Sequence, residues 1–348
     1  MNKKENYFKA VRFERPDYIP MVFAINDACW QAYPQEFLCE QIEKHPRLFE
    51  GYIIPKLPYH PNFANVARKD QPYCDDFGCV WQTTVDGITG TVVKHPLADW
   101  ENFKNYHAPD PNQCSGIGPI DWEKIKQTFS QTPGELHMGG LRHGHTFLQL
   151  CDIRGYENLI LDMADEEPLL WDLIELVENF NMGIIKNYLD CGAEIMTYGE
   201  DLGMQIGPML SPEHFRKYIK PSYQRIIKPA KEKGLPIHMH SDGDIRTLVD
   251  DIIDGGVEIL NLQDLVNGID WIKEKFFGKI CIDLDIDRQT VTRFGTPKEI
   301  DNLIRKEVTN IGSKQGGLMM IYGLYPDIPL ENVIAVMDAM ENYMGYFD

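Results

Sequence analysis

Residues 236–262, PIHMHSDGDIRTLVDDIIDGGVEILNL, contain one complete strand–helix–strand unit. Pro236–His240 is a short apolar run that reads as a strand. Asp244 is placed to cap the following segment, in which Leu248, Val249, Ile252 and Ile253 share one helical face. Gly255 ends that helix, and Glu258–Leu262 supplies the next strand. Two strands joined through a helix pair in parallel, with a right-handed crossover.

The same rhythm extends on both sides. Further strand candidates are Ile19–Ile25, Glu135–Met138, Glu194–Tyr198, Ile280–Leu284 and Leu318–Tyr322. Ser211-Pro212-Glu213 combines an N-cap, an N1 proline and an acidic first turn, and the helical stretch behind it closes at Gly234. Thr296 and Pro297 begin another helix in the same way. The expected fold class is therefore α/β, a (β/α)8 TIM barrel forming a single domain over residues 1–348. The stretch from about Asn26 to Gly134 is rich in Pro, Tyr and Trp and breaks the rhythm, so it is expected to form helical excursions over the barrel mouth.

The chain has 348 residues, 43% of them apolar, which is ample for a packed core. No apolar run approaches the roughly 18 residues of a membrane span. The first residues, Met1 to Asn6, lack the apolar core of a signal peptide, so a cytoplasmic location is expected. Eight scattered cysteines form no CxxC pair and read as reduced structural thiols. A net charge of −19, from 34 basic and 53 acidic residues, opposes binding to nucleic acid, anionic membranes or polyanionic ligands. A monomer or homodimer is expected.

Active sites of such barrels lie at the C-terminal strand ends. That rule selects Tyr198 to Asp201, then His238, His240 and Asp242, then Asp283, Asp285 and Asp287, and finally Tyr322 to Asp327. Period-two alternation places His238 and His240 on one strand face. With Asp242 and Glu200 they form a candidate divalent-metal set, most simply zinc with three protein ligands and an open position. Asp244 then caps the next helix, and Asp242 belongs to the site. The alternative is that both acids are helix caps. Glu200 and Asp201 have their own alternative as helix-entry carboxylates. His143 and His145 form a second His-x-His after a strand, either metal ligands or a substrate-facing lid. Asp283 points inward if its strand alternates, or else is a solvated strand-end acid. The aromatics around Trp30, Phe77 and Trp81 form a second small core or an apolar substrate pocket. No GxGxxG, P-loop, GxSxG or HExxH motif occurs.

Longer motifs carry a family resemblance. RGYENLILDMADEEP, GEDLGMQIGPMLSPEHFRKYIKPSYQRI, HMHSDGDIRTLVDDIIDGGVEILN and YPDIPLENVIAVMDAM resemble the uroporphyrinogen decarboxylase superfamily, as do DDFGCVW and HPLADWENFKNYHAPDP. The resemblance implies the barrel fold over nearly the whole chain. It departs from the decarboxylase itself, whose arginine-rich MRQAGRY segment binds substrate carboxylates. Here VFAINDACWQAYP stands in that place, without a basic residue. The other branch holds corrinoid-dependent methyltransferases, in which a His-x-Cys pair and a later Cys bind zinc. This chain has His240-x-Asp242, and MMIYGLYPDIP lacks the later Cys. A site with oxygen and nitrogen donors suits an oxygen-containing substrate better than a thiol.

The resemblance thus implies a methyltransferase that moves a methyl group from a small methyl ether, expected to be aromatic, to the cobalt(I) corrinoid of a carrier protein. Zinc and a cobalamin supplied by that partner are the expected cofactors. His240, Glu200 and Asp242 are the expected catalytic residues. Trp30, Phe77, Trp81, His145, Tyr198, Met204, Asp283, Tyr322 and Tyr325 are the expected substrate contacts. The alternatives are corrinoid-dependent transfer involving a thiol, amine or folate, a decarboxylase-like enzyme, and a non-catalytic tetrapyrrole-binding barrel.

Overall fold

The computed structural model describes residues 3–347. Its parallel strands are, in chain order, β1 (Met21–Ile25), β2 (Met138–Gly140), β3 (Ile195–Asp201), β4 (Ile237–Asp242), β5 (Ile259–Gln263), β6 (Cys281–Asp285) and β7 (Leu318–Leu324). Every expected strand is present, most of them beginning one or two residues later than the apolar run. Two compact units emerge. One comprises the chain up to Lys69, Thr83–Thr89 and everything from Leu260 on. The other comprises Asp70–Gln82 and Gly90–Ile259.

In the first unit, β1 pairs with β7 and β7 with β6, all in parallel. Helices Pro297–Ile311 and Leu330–Met344 follow β6 and β7. They bury Ile300, Ile304 and Val308 from one, and Val333, Val336, Met337 and Met340 from the other. Each such side chain contributes about 1.5–3 kcal/mol on leaving water. The expected cap is present: Thr296 accepts from the Glu299 amide, Glu299 reaches back to the Thr296 amide, and Pro297 occupies the first turn.

In the second unit, β2 pairs with β3 and β3 with β4. Helix Leu169–Cys191 precedes β3, and helix Lys220–Glu232 leads to β4 after Gly234 turns the chain at φ +74. The region before β2 is not wholly helical. It adds a three-stranded antiparallel sheet of Tyr73–Cys74, Val80–Gln82 and Thr91–Lys94. Asp244 departs from its expected place. Helix Val249–Asp254 has no side-chain cap. Asp244 instead accepts from the Arg246 amide at 3.1 Å and its guanidinium at 2.9 and 2.6 Å. A charged fork two residues away outcompetes a helix amide for one carboxylate. No helix among the described residues is long and apolar enough to cross a membrane.

Candidate metal centre

Along β4 the burial alternates, with Ile237, Met239 and Ser241 buried and His238, His240 and Asp242 half-buried. Along the end of β3, Tyr198 and Glu200 are buried while Thr197, Gly199 and Asp201 are half-buried. The register sets Gly199 beside His240, Asp201 beside Asp242, and Glu200 beside Ser241. Paired residues in parallel strands share a face, so Asp201 joins His240 and Glu200 turns away. The expected Glu200–His240 pairing is corrected by one residue.

The loop after β2 completes the cluster. Its Leu141 amide donates to Thr197 O at 3.1 Å and its Gly144 amide to Gly199 O at 2.8 Å. This lays His143 over Gly199, where a Cβ would lie 3.2 Å from the imidazole Cδ2. His143 Nε2 then lies 3.3 Å, and His240 Nε2 3.5 Å, from Asp201 Oδ1. The Asp242 amide donates to the same oxygen at 3.1 Å, and Asp242 Oδ1 lies 3.6 Å from His240 Nε2. Burial pushes Asp201 up, but hydrogen bonds from both histidines hold it well below the usual carboxylate range.

One ligand atom each from His143, Asp201 and His240 converges within 4.8 Å. A tetrahedral ion with bonds of about 2.1 Å needs donors about 3.4 Å apart. The separations from Asp201 to the two histidines, 3.3 and 3.5 Å, lie close to that value. Two imidazoles and a carboxylate suit zinc or another first-row divalent ion. Side-chain exposures of 54% for His143 and 23% for His240 leave the centre open to an incoming molecule.

Glu200 and His145 lie together on the opposite face. Glu200 accepts the amide of Thr146 and those of Phe147 at 3.0 Å and Leu148 at 3.3 Å, fixing the N-terminus of helix Phe147–Arg154. Burial pushes its carboxyl up to about 7, against the pull of those amides. His145, 3.7 Å from Glu200, is driven down to about 3 by burial and is therefore neutral. Its Nδ1 contacts Thr146 Oγ1 at 2.6 Å.

The other candidates separate. His238 shares the His240 face, one step down β4 beside Thr197. Phe77 and Trp81 are 2% and 8% exposed and form a small core, Phe77 packing edge-on to Phe180 and Trp81 donating to Asp75 at 2.8 Å. The buried Tyr198 donates to Ile226 O at 3.2 Å, and Met204 lies exposed in a hairpin beyond β3. Trp30, Asp283, Tyr322 and Tyr325 belong to the first unit. There Trp30 packs on Tyr59, Asp283 is half-buried in β6, Tyr322 donates to Thr292 Oγ1 at 3.1 Å, and Tyr325 is exposed beneath Arg288. Asp201 and His143 were the residues least prominent in the sequence. The signal that finds them is the parity of β3 together with Gly199.

Residues 76–343 match the family model described as Uroporphyrinogen decarboxylase (URO-D). The uroporphyrinogen decarboxylase of Danio rerio is 24% identical over 185 residues, 50% of this chain and 46% of its own length. That of Thermus thermophilus is 25% identical over 184 residues, 51% of this chain and 50% of its own. The chain thus spans about half the length of the curated relatives it matches. Among solved structures, a methyltransferase from Methanosarcina mazei aligns over 99% of both chains with a TM-score of 0.65 and 17% identity. That likeness is one of fold, and it agrees with the α/β, TIM-barrel-like class expected from the strand–helix rhythm.

Proposed function

Since the chain belongs to the uroporphyrinogen decarboxylase family, we propose that it is a methyltransferase of that family, taking a methyl group from a small aromatic methyl ether and delivering it to the cobalt(I) corrinoid of a carrier protein. The observation that carries this reading is the cluster of His143, Asp201 and His240, which has nitrogen and oxygen donors and no thiolate. The reacting methyl–oxygen bond breaks, a cobalt–carbon bond forms, and the aryl oxide takes a proton from water. An ether oxygen is a poor leaving group. A divalent ion held by His143, Asp201 and His240, such as zinc, supplies Lewis acidity toward that oxygen.

The chain's own residues prepare the centre. Asp201 aligns both imidazoles through one oxygen, Gly199 leaves room for His143, and Glu200 braces the helix behind the loop. The fold of the Methanosarcina mazei methyltransferase is consistent with methyl transfer. The curated relatives favour decarboxylation as a second reading. Against it stand the net charge of −19 and the absence of any basic residue from 22 to 34. The test supplies cobalt(I) cobalamin with a panel of methoxyarenes and follows the visible spectrum. Methylcobalamin should form with at least one guaiacol- or veratrole-like ether. Decarboxylation of uroporphyrinogen, or methylation from thiols with every ether inert, refutes the proposal.

A further inference from the structure

Arg142 immediately precedes His143 in the chain and is almost wholly buried, its side chain 4% exposed. A buried guanidinium is tolerated only when its donors are used. Here Nη2 donates to Asp152 at 2.7 Å and Nη1 to Gln149 at 2.6 Å, while Nε donates to the carbonyl oxygen of His143 itself at 3.1 Å. The guanidinium also lies 5.5 Å from the Trp81 ring centroid and 4.0 Å from Asp75. Asp75 is committed elsewhere, accepting the Phe77 and Cys79 amides at 3.0 and 2.8 Å and the Trp81 indole at 2.8 Å. One rigid fork therefore ties helix Phe147–Arg154 and the small antiparallel sheet to the backbone of His143.

The far side of that backbone is held by the Gly144 amide on Gly199 O at 2.8 Å. The imidazole between these two grips is 54% exposed, so burial holds it little and its placement depends on the main chain as well as on Asp201. We propose that Arg142 is a positioning residue, which presents His143 to Asp201 and His240 and so sets the metal affinity of a centre it does not touch. Lysine cannot replace it, because a point charge makes one contact where the planar fork makes three at fixed angles. The inference rests on the metal centre of the proposed function but not on the methyl donor.

Cobalt(II) titration of the metal-free protein tests it, since both affinity and the visible d–d spectrum report on the ligands. Wild type, Arg142→Lys, His143→Ala and the double variant are compared. Arg142→Lys should weaken cobalt binding about 10–100-fold, the range typical of losing support behind a metal ligand. Its saturated spectrum should move toward that of His143→Ala. The double variant should bind no more weakly than His143→Ala alone, because the two changes remove the same contribution. Wild-type affinity in Arg142→Lys, or losses that multiply in the double variant, overturn the proposal while leaving the metal centre standing. Failure of the wild type to bind cobalt overturns both. Asp152→Asn keeps the guanidinium and removes only its ionic partner, which guards against misfolding of the lysine variant. It should weaken cobalt several-fold, and unchanged binding counts against the proposal.

Discussion

Glu307 lies on helix Pro297–Ile311 with 0% exposure and interacts with Asp264, which is 1% exposed. Asp264 already accepts the Leu265 amide at 2.5 Å and the Asp287 amide at 3.0 Å, so it is the anion of the pair. Among the described residues no N–H or O–H donor reaches either oxygen of Glu307. A carboxyl so placed keeps its own proton and donates it to Asp264. Burial first, then the charges of Asp264, Asp287 and Asp285, hold Glu307 well above its ordinary 4.5. Asp285 is itself paired with Arg288 at 2.8 Å. In the unfolded chain Glu307 ionises near 4.5, whereas the folded protein retains the proton. Folding above that pH therefore takes up a proton. The contribution is fully present below 4.5 and falls by about 1.4 kcal/mol per pH unit until the folded pair itself ionises. Glu307→Gln donates an N–H that does not titrate. As the pH rises above about 5 the wild type should lose stability relative to the variant. Urea unfolding of both proteins across that range measures the difference. A flat difference, or a wild type that gains on the variant as pH rises, refutes the shared proton.

Arg154 is buried, with Nε bonded to Asp162 at 2.7 Å, Nη1 to Leu97 O at 2.7 Å and Ala98 O at 2.5 Å, and its guanidinium 4.5 Å from the Trp100 ring centroid. Arg154→Lys should cost about 2–3 kcal/mol by urea unfolding, since one ammonium cannot meet those angles. Gly139→Ala should cost about 1–3 kcal/mol, because the new Cβ would fall 2.6 Å from Met196 Sδ and 2.8 Å from Tyr188 Cβ. A thermal scan with zinc at 100 times its Kd should stabilise the wild type by about 2.7 kcal/mol. His240→Ala should show little of that rise.

The parallel strands were legible because strands covered on both faces are apolar runs of the right length. β2 was the hardest to bound. The expected strand Glu135–Met138 stops short of Gly139 and Gly140, yet both are in the strand, where a Cβ on Gly140 would collide with Thr197 Oγ1. The small antiparallel sheet has strands of two to four residues, too short for alternation to register. At the candidate metal centre, His240 followed from the strand-end rule, but the choice between Glu200 and Asp201 hung on where β3 stopped. The apolar run ends at Tyr198, whereas the strand continues to Asp201, and only the longer strand fixes which acid faces His240. His143 sits on a loop, where no period applies, and it lies over Gly199 of a strand distant in the sequence. Phe77 and Trp81 have the composition of either a ring pocket or a core, and burial alone distinguishes the two.

The central claim is that Asp201, and not Glu200, completes the metal centre with His143 and His240. Zinc titration by calorimetry, with elemental analysis after dialysis, compares wild type, Asp201→Asn and Glu200→Gln. The wild type and Glu200→Gln should each hold about one equivalent, and Asp201→Asn should bind about 100-fold more weakly, having lost the negative charge of its one anionic ligand. If Glu200→Gln loses the metal while Asp201→Asn keeps it, the assignment of the centre is wrong.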